Sequence, residues 1–529
     1  MTARAKILVC DGVAEEGVAG LREEFDVTMA GSYEPAALAE IIGDYDALIV
    51  RSQTKVDANV LAAGKKLRIV ARAGVGVDNV DVAAATREGI VVVNSPDGNT
   101  IAAAEHTLAM MFSLVRHTPQ ADASMKTKKW EKKGMLGIEM FRKTLGVVGL
   151  GKIGSHVAKV CQAMGMQVIA FDPFMTPEVA AARGVQLADL DEVLAKADMI
   201  TLHMPLTPET RHVIDPRRLA LMKPSARLVN CARGGLIDEV ALADALQNGR
   251  LAGAALDVFE QEPLGDSPLY ELGGKIVMTP HLGASTAEAQ LNVAIDVAEQ
   301  VAAVLRGDTA RSAVNIQGMG SEALQAVRPY LGLAERLGRL LGQIVSGGHK
   351  SIEITLGGEL AGKSGQPLVL AVLKGFLEPS MGERVNYVNA PLVAHDRGIT
   401  VKESKSDNAG AYSSLITATA VTTQETRVVA GTLIGQGEER IVLIDDYSVN
   451  TVPSPFLLLA PHQDQPGMVG ILGTILGESN INIAGMQVGR LQARGQAVMV
   501  VNIDEPMSKE LVDRLSKTPG FHEAKVVKL

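Results

Sequence analysis

Ten short apolar runs, each followed by a turn and an amphipathic stretch, constrain this chain more than any other feature. KILVCDG, DALIVRS, LRIVARAG and IVVVNSP come first; LGVVGLG, MQVIAFDP, DMITLHMP, ARLVNCARGG, AGAALDVF and KIVMTPH follow, all between residue 6 and about 310. Strands this uniformly aliphatic are covered on both faces, and their alternation with helices is the pattern of doubly wound parallel sheets. Ten strands crowd one open sheet, and the second set restarts at a glycine turn, so two sheets are expected. The composition agrees, with 47% hydrophobic residues but only 3% aromatic ones, which makes aliphatic cores. The fold class is α/β.

At 529 residues the chain is too long for one core, and roughly 100–200 residues per domain suggests three or four. Between 315 and 453 the pattern becomes mixed strands and helices, with IEITLGG, LVLAVLKGFL, RVNYVNAPLVAHDRGI and ERIVLIDDYSV. The last 75 residues read as βαββαβ, a small ferredoxin-like unit, behind a linker at Pro453, Ser454 and Pro455. Its first helix runs from Gly467 to about Glu478, with Ile471, Leu472, Ile475 and Leu476 on one face.

Charge and cysteine usage exclude several classes. A net charge of −9 and a pI near 5.7 give no general attraction to nucleic acid or to an anionic membrane. The basic cluster MKTKKWEKKG at 125–134 reads as a solvated or subunit-contacting segment. Cys10, Cys161 and Cys231 show no paired spacing, which argues for a reducing compartment and against a disulfide or metal framework. The start MTARAKILVCDG has no apolar leader core and no window reaches transmembrane length, so a cytoplasmic location is expected.

The turn VVGLGKIG carries Gly149, Gly151 and Gly154 after a strand, and the next residues, including Lys152 and Ile153, open a helix with Val157, Cys161 and Met164 at helical spacing. The first glycine permits the turn, the second lets backbone approach a pyrophosphate and the third lets helix pack on strand, while the helix N-terminus supplies amides. Asp172 closes the next strand 18 residues past Gly154, where a carboxylate accepts from the ribose hydroxyls and repels a 2′-phosphate. NAD is therefore the expected cofactor, with flavin as the rival.

Hydride transfer from a hydroxy acid needs a proton acceptor, a cation for the carboxylate and a carboxylate to tune the acceptor. Three strand ends of the second set offer these types: Arg233 in VNCARGG, Glu262 in LDVFEQEP and His281 in KIVMTPH. Ligands of open α/β sheets bind beyond the carboxyl ends of strands, so parallel strands aim all three into one crevice. His titrates near about 6.5 and a partner such as Glu262 can raise it, while Arg233 stays charged. Asp257 is the candidate for the nicotinamide carboxamide, and Ser285 to Glu288 reads as a capping box on the next helix.

VVGLGKIG with Asp172, VNCARGGLIDE, LDVFEQEP and TPHLGASTAEAQ, in this order and spacing, closely resemble the D-isomer-specific 2-hydroxyacid dehydrogenases. RSQTKVD, VARAGVGVDNVD and the C-terminal regions narrow the likeness to the long bacterial branch that oxidises 3-phosphoglycerate. The resemblance spans essentially the whole chain, most specifically residues 1–315. It implies a nucleotide domain inserted in a flavodoxin-like substrate domain: 1–97 with 283–314 for substrate, 98–282 for NAD, 315–453 intervening, and 454–529 an ACT domain.

What the resemblance implies is NAD-dependent oxidation of 3-phospho-D-glycerate to 3-phosphohydroxypyruvate, the first step of L-serine biosynthesis. Arg233, Glu262 and His281 become the catalytic set. Gly149, Gly151, Lys152, Ile153, Gly154, Asp172, Cys231, Ala232, Arg233, Asp257, His281 and Gly283 become the NAD contacts. Arg51, Ser52, Arg72 and Gly74 are expected at the substrate phosphate, helped by Lys132 from a neighbouring subunit where the family often has arginine. His462, Asp464 and Asn482 match the ACT ligand loop and strand, with L-serine as the expected feedback inhibitor. A homo-oligomer, a dimer of dimers, is implied. Another D-2-hydroxyacid dehydrogenase, a side reduction of 2-oxoglutarate and an NAD-sensing corepressor remain as alternatives.

Overall fold

The computed structural model describes residues 4–316, 321–382 and 385–529, and these form four sheets. The first sheet is wholly parallel, with β1 Lys6–Val9, β2 Asp26–Met29, β3 Ala47–Val50, β4 Ile69–Arg72 and β5 Val91–Asn94 in the order β2-β1-β3-β4-β5. The second is also parallel: β6 Thr144–Val148, β7 Gln167–Phe171, β8 Gln186–Leu187, β9 Met199–Leu202, β10 Arg227–Asn230, β11 Gly253–Leu256 and β12 Ile276–Met278 lie as β12-β11-β10-β9-β6-β7-β8. The two-sheet α/β expectation holds, with β2 and β8 added to the ten runs. Both are edge strands without a buried residue, so neither carries an apolar run.

Helices α1 Thr100–Arg116 and α2 Lys152–Ala163 cover one face of the second sheet through Met111, Leu114, Val157 and Cys161. Helix α3 Ala287–Arg306 returns to the first sheet, where Val293, Val297 and Val301 share a core with Ile7, Ile49 and Ala71. Thr286, not Ser285, caps α3 by accepting from Ala289 N, because Ser285 closes the preceding turn with its own amide bonded to Leu282 O. Strand order reverses between β6 and β9 in the second sheet, which opens the crevice at its carboxyl edge.

The third sheet is mixed. It contains β13 His349–Gly358, β14 Thr400–Ser406, β15 Ser414–Thr422, β16 Thr426–Ile434, β17 Glu438–Ile444 and β18 Tyr447–Thr451, in the order β14-β13-β15-β16-β17-β18. Helices α4 Leu331–Ile344 and α5 Gln366–Met381 pack beside it, so LVLAVLKGFL is helical. The fourth sheet, β19 Phe456–Gln463, β20 Ile483–Arg490, β21 Gln496–Ile503 and β22 Lys525–Lys528, is antiparallel in the order β20-β21-β19-β22. Its two helices, α6 Met468–Glu478 and α7 Lys509–Ser516, complete the βαββαβ pattern.

The faces of the fourth sheet go to different neighbours. Leu458, Ala460, Met499 and Val501 meet Leu472, Leu476 and Leu515 of α6 and α7, while Leu457, Leu459, Val498 and Val500 join the core around α4. Ile471 departs from its expected place: it is 39% exposed, whereas Leu472, Ile475 and Leu476 are buried. Among the described residues no helix is long and apolar enough to cross a membrane.

Candidate active site

The glycine turn follows β6 directly. Gly149 has φ +97°, and a Cβ there would stand 2.5 Å from His203 O; one on Gly154 would stand 2.1 Å from Gly149 O. Both positions therefore need glycine for close packing. A Cβ on Gly151 would meet no atom within 4 Å, so the open side of the turn lies over the N-terminus of α2, where Lys152 and Ile153 begin the helix. Open backbone at a helix start suits an anionic diphosphate. Asp172 ends β7 beside it and accepts from Leu150 N (2.7 Å) and Phe174 N (2.9 Å), which fixes its carboxylate at the turn. These groups fit a dinucleotide. Lys152 reaches Asp97 of the preceding segment in an ion pair.

Glu262 and His281 are brought together from the ends of β11 and β12. His281 Nδ1 lies 2.6 Å from Glu262 Oε2, and Glu262 Oε1 accepts from Phe259 N at 3.0 Å. Burial pushes the Glu262 carboxyl up, but the bonds from His281 and Phe259 outweigh it and hold it below the usual glutamate range. With Nδ1 donating to the carboxylate, Nε2 is the basic nitrogen left for a substrate proton. His281 itself has φ +55°, a left-handed backbone held by N–H bonds to Asp257 O (2.9 Å) and Thr279 O (3.0 Å).

Asp257 is fully buried and its carboxylate is occupied within the chain. Oδ1 accepts from Thr279 Oγ1 (2.6 Å) and Leu282 N (2.8 Å), and Oδ2 from Gly283 N (2.9 Å). Cys231 and Ala232 lie in the loop after β10, where burial pushes the Cys231 thiol up to about 12. Asn230, which the sequence reading missed, shapes that loop: its Nδ2 donates to Arg233 O (2.8 Å) and its Oδ1 accepts from Ala232 N (3.0 Å). The loop lies against that of Glu262, since a Cβ on Gly234 would fall 1.7 Å from Phe259 O.

Arg233 crosses to the first sheet, where its Nε lies 3.2 Å from Asp78 Oδ2. Asp78 therefore pairs with Arg233 rather than with Arg51 or Arg72. Arg72, at the end of β4, lies in the same charge cluster: burial and then the Arg233 charge push its guanidinium down to about 10, Arg51 adds to this, and Asp78 and Asp11 oppose it. Arg72 Nε is buried without a hydrogen-bond partner. Gly74, at φ +152°, lets the chain pass the Arg72 guanidinium, for a Cβ would fall 1.6 Å from one of its nitrogens. Arg51 and exposed Ser52 lie on the loop after β3. Buried Asp11, also missed, fastens that loop by accepting from Arg51 N (2.8 Å), Thr54 N (3.0 Å) and Thr54 Oγ1 (2.5 Å). Its position after the β1 run matches that of Asp257 after β11, which is the signal that marks it.

Lys132 is not brought to this cluster. It sits in the exposed stretch before β6 and makes no side-chain hydrogen bond or ion pair among the described residues. The three expected effector residues are not brought together within the chain: His462 and Asp464 lie at one end of the fourth sheet near Arg490 and Arg494, Asn482 lies at the opposite end beside Asp504, and all three have partners already. His462 is 1% exposed with Nδ1 3.1 Å from Ala460 O; Asp464 accepts from Arg494 N at 2.9 Å; Asn482 Nδ2 donates to Asp504 Oδ2 at 2.6 Å. The Arg494 N–H bond holds the Asp464 carboxyl below its ordinary range. Among the described residues no group of three or more His, Cys, Asp or Glu side chains could hold a metal ion.

Comparison with known proteins agrees with this geometry. Residues 108–283 match the NAD binding domain of D-isomer specific 2-hydroxyacid dehydrogenases, 326–445 the D-3-phosphoglycerate dehydrogenase intervening domain, and 462–520 the ACT domain. D-3-phosphoglycerate dehydrogenase of Synechocystis sp. is 50% identical over 99% of this chain and 95% of its own; that of Methanocaldococcus jannaschii is 43% identical over 99% and 100%. Among solved structures, a D-lactate dehydrogenase of Aquifex aeolicus complexed with NAD and lactic acid matches with a TM-score of 0.52 and 29% identity, over 57% of this chain and 96% of its own. The chain belongs to the D-3-phosphoglycerate dehydrogenases, within the D-isomer specific 2-hydroxyacid dehydrogenase family.

Proposed function

We propose that this chain oxidises 3-phospho-D-glycerate to 3-phosphohydroxypyruvate with NAD, as the first step of L-serine biosynthesis, in the cleft between the two parallel sheets. The observation that carries the substrate is the cationic cluster of Arg51, Arg72 and Arg233, where buried Arg72 Nε has no partner of its own. A phosphorylated carboxylic acid brings two anionic groups to such a place. Arg233 grips the carboxylate and polarises the C2 oxygen, Arg51, Ser52, Arg72 and Gly74 take the phosphate, and His281 Nε2 accepts the C2 hydroxyl proton while Glu262 supports the imidazolium. NAD, held by Gly149, Gly151, Lys152, Ile153, Gly154 and Asp172, would supply the nicotinamide that accepts the hydride leaving C2. Oxidation releases a proton, so higher pH favours the forward direction.

In this reading 1–97 with 283–314 binds substrate, 98–282 binds NAD, 315–453 intervenes and 454–529 regulates. Exposed Trp130 (82%), Leu136 (89%), Met125 (54%) and Phe112 (43%) support assembly through the segment that carries Lys132, as a dimer of dimers. L-Serine is the effector of the ACT region, and three free cysteines agree with a cytoplasmic protein. The test is NADH oxidation with 3-phosphohydroxypyruvate, with and without L-serine, beside 2-oxoglutarate. Strong, serine-suppressed turnover of the phosphorylated acid is expected. Reduction of another ketoacid alone would overturn the phosphate role of Arg51 and Arg72.

A further inference from the structure

His106 lies on α1, 173 positions away in sequence from Thr279, and the catalytic reading does not use it. Its Nε2 stands 3.0 Å from Asp257 Oδ1 and 3.2 Å from Thr279 Oγ1, with the side chain 19% exposed. The Thr279 hydroxyl hydrogen is already committed to Asp257 Oδ1 at 2.6 Å. Nε2 must therefore carry a hydrogen and give it to the carboxylate, which fixes the ring's tautomer or its charge. A fully buried carboxylate needs such donors, because an under-bonded charge in a core is costly.

The same carboxylate holds the turn that presents His281. Through its side chain Asp257 binds Thr279, Leu282 N and Gly283 N, and through its carbonyl it binds His281 N. Residues on both sides of His281 are thereby tied to one group, and His281 keeps a left-handed φ of +55° that a histidine does not adopt freely. Helix α1 starts at Thr100, just beyond the segment that leaves the first sheet, and Asp97 of that segment pairs with Lys152.

We propose that His106 is a positioning residue for the dehydrogenase reaction: its Nε2–H bond to Asp257 locks the 279–283 turn so that His281 Nε2 faces the substrate, and ties that turn to α1. The inference rests on the proposed function and adds a residue to it. Loss of the donor loosens the turn without removing any group that touches substrate, so kcat falls while substrate and NADH binding are kept.

The experiment compares wild-type full-length protein with His106→Leu, which cannot donate, and His106→Gln, whose amide nitrogen stands near the place of imidazole Nε2. The expected result for His106→Leu is kcat for 3-phosphohydroxypyruvate lowered roughly tenfold, KM and NADH Kd within about twofold, and recovery of most of the rate in His106→Gln. The groups facing Asp257 are His106 from α1, Cys231 after β10 and Glu262 after β11. Burial pushes the Asp257 carboxyl up and the bonds from His106, Thr279 and Leu282 bring it below its ordinary range. Without His106 that carboxyl protonates at higher pH, so the acid limb of the reductive rate profile moves up. Histidine-selective NMR of the cofactor-free protein should show the His281 signal altered in Leu and restored in Gln. Equal losses of rate in Leu and Gln with a matching fall in Tm, or an unchanged kcat and pH profile in Leu, would overturn the proposal. Failure of wild type to turn over the phosphorylated acid would instead overturn the substrate reading.

Discussion

The cleft between the parallel sheets and the fourth sheet both carry polar side chains picked out as ligand candidates, yet they differ in how far those groups are satisfied and whether they meet. In the cleft, Arg72 has a buried nitrogen without a partner and stands among like charges, and the Glu262–His281 pair leaves one ring nitrogen free. In the ACT region, Asp464 is bonded by Arg494 N and His462 is buried against Ala460 O at one end of the sheet, while Asn482 is bonded to Asp504 at the other. Unspent charge marks the place where the chain alone has built for an anion. Satisfied groups offer no open charge, so a ligand there would have to exchange for bonds the chain already makes.

The sharpest way to break this contrast is to remove the free nitrogen. His281→Ala should lower kcat by roughly a thousandfold with little change in Tm, read by NADH oxidation and calorimetry. Glu262→Gln should cost roughly ten- to a hundredfold in kcat, since the imidazole loses the carboxylate that orients it. The Glu262 carboxyl sits below its ordinary range, so it remains ionised through neutral pH and loses its contribution only as pH falls through that lowered value. Arg72→Met should raise KM for 3-phosphohydroxypyruvate roughly tenfold and leave 2-oxoglutarate kinetics nearly unchanged. The smallest effect on catalysis belongs to Asp464→Ala, which should keep basal turnover within about twofold while abolishing inhibition by L-serine. A loss of serine-free kcat/KM as large as in Arg72→Met would erase the distinction between the two regions.

Much of this was legible in the chain because the parallel strands are buried on both faces and therefore written as aliphatic runs. The edge strands Asp26–Met29 and Gln186–Leu187 were not, since neither buries a residue, whereas the opposite edges Val91–Asn94 and Ile276–Met278 are covered and keep their aliphatic runs. LVLAVLKGFL was ambiguous for the opposite reason: α5 is covered nearly all round, so it shows no helical stripe. Arg233, Glu262 and His281 were legible as candidates by their position at strand ends, and the structure places Glu262 and His281 in contact. Asn230 and His106 were missed because their work is to hold other loops, and that needs the turn of a loop or a contact between elements distant in sequence.

The fourth sheet's double cover has a practical consequence for dissecting the protein. Cutting the chain at the Pro453–Pro455 linker would strip Leu457, Leu459, Val498 and Val500 from the core around α4, along with the bonds between Gln343 and Lys528 (2.8 and 3.0 Å). The remnant would carry a sticky aliphatic scar, and the released fragment its mirror image. A truncation meant to ask what the tail contributes should therefore remove both C-terminal sheets together, leaving the two parallel sheets and α3 as the piece to purify.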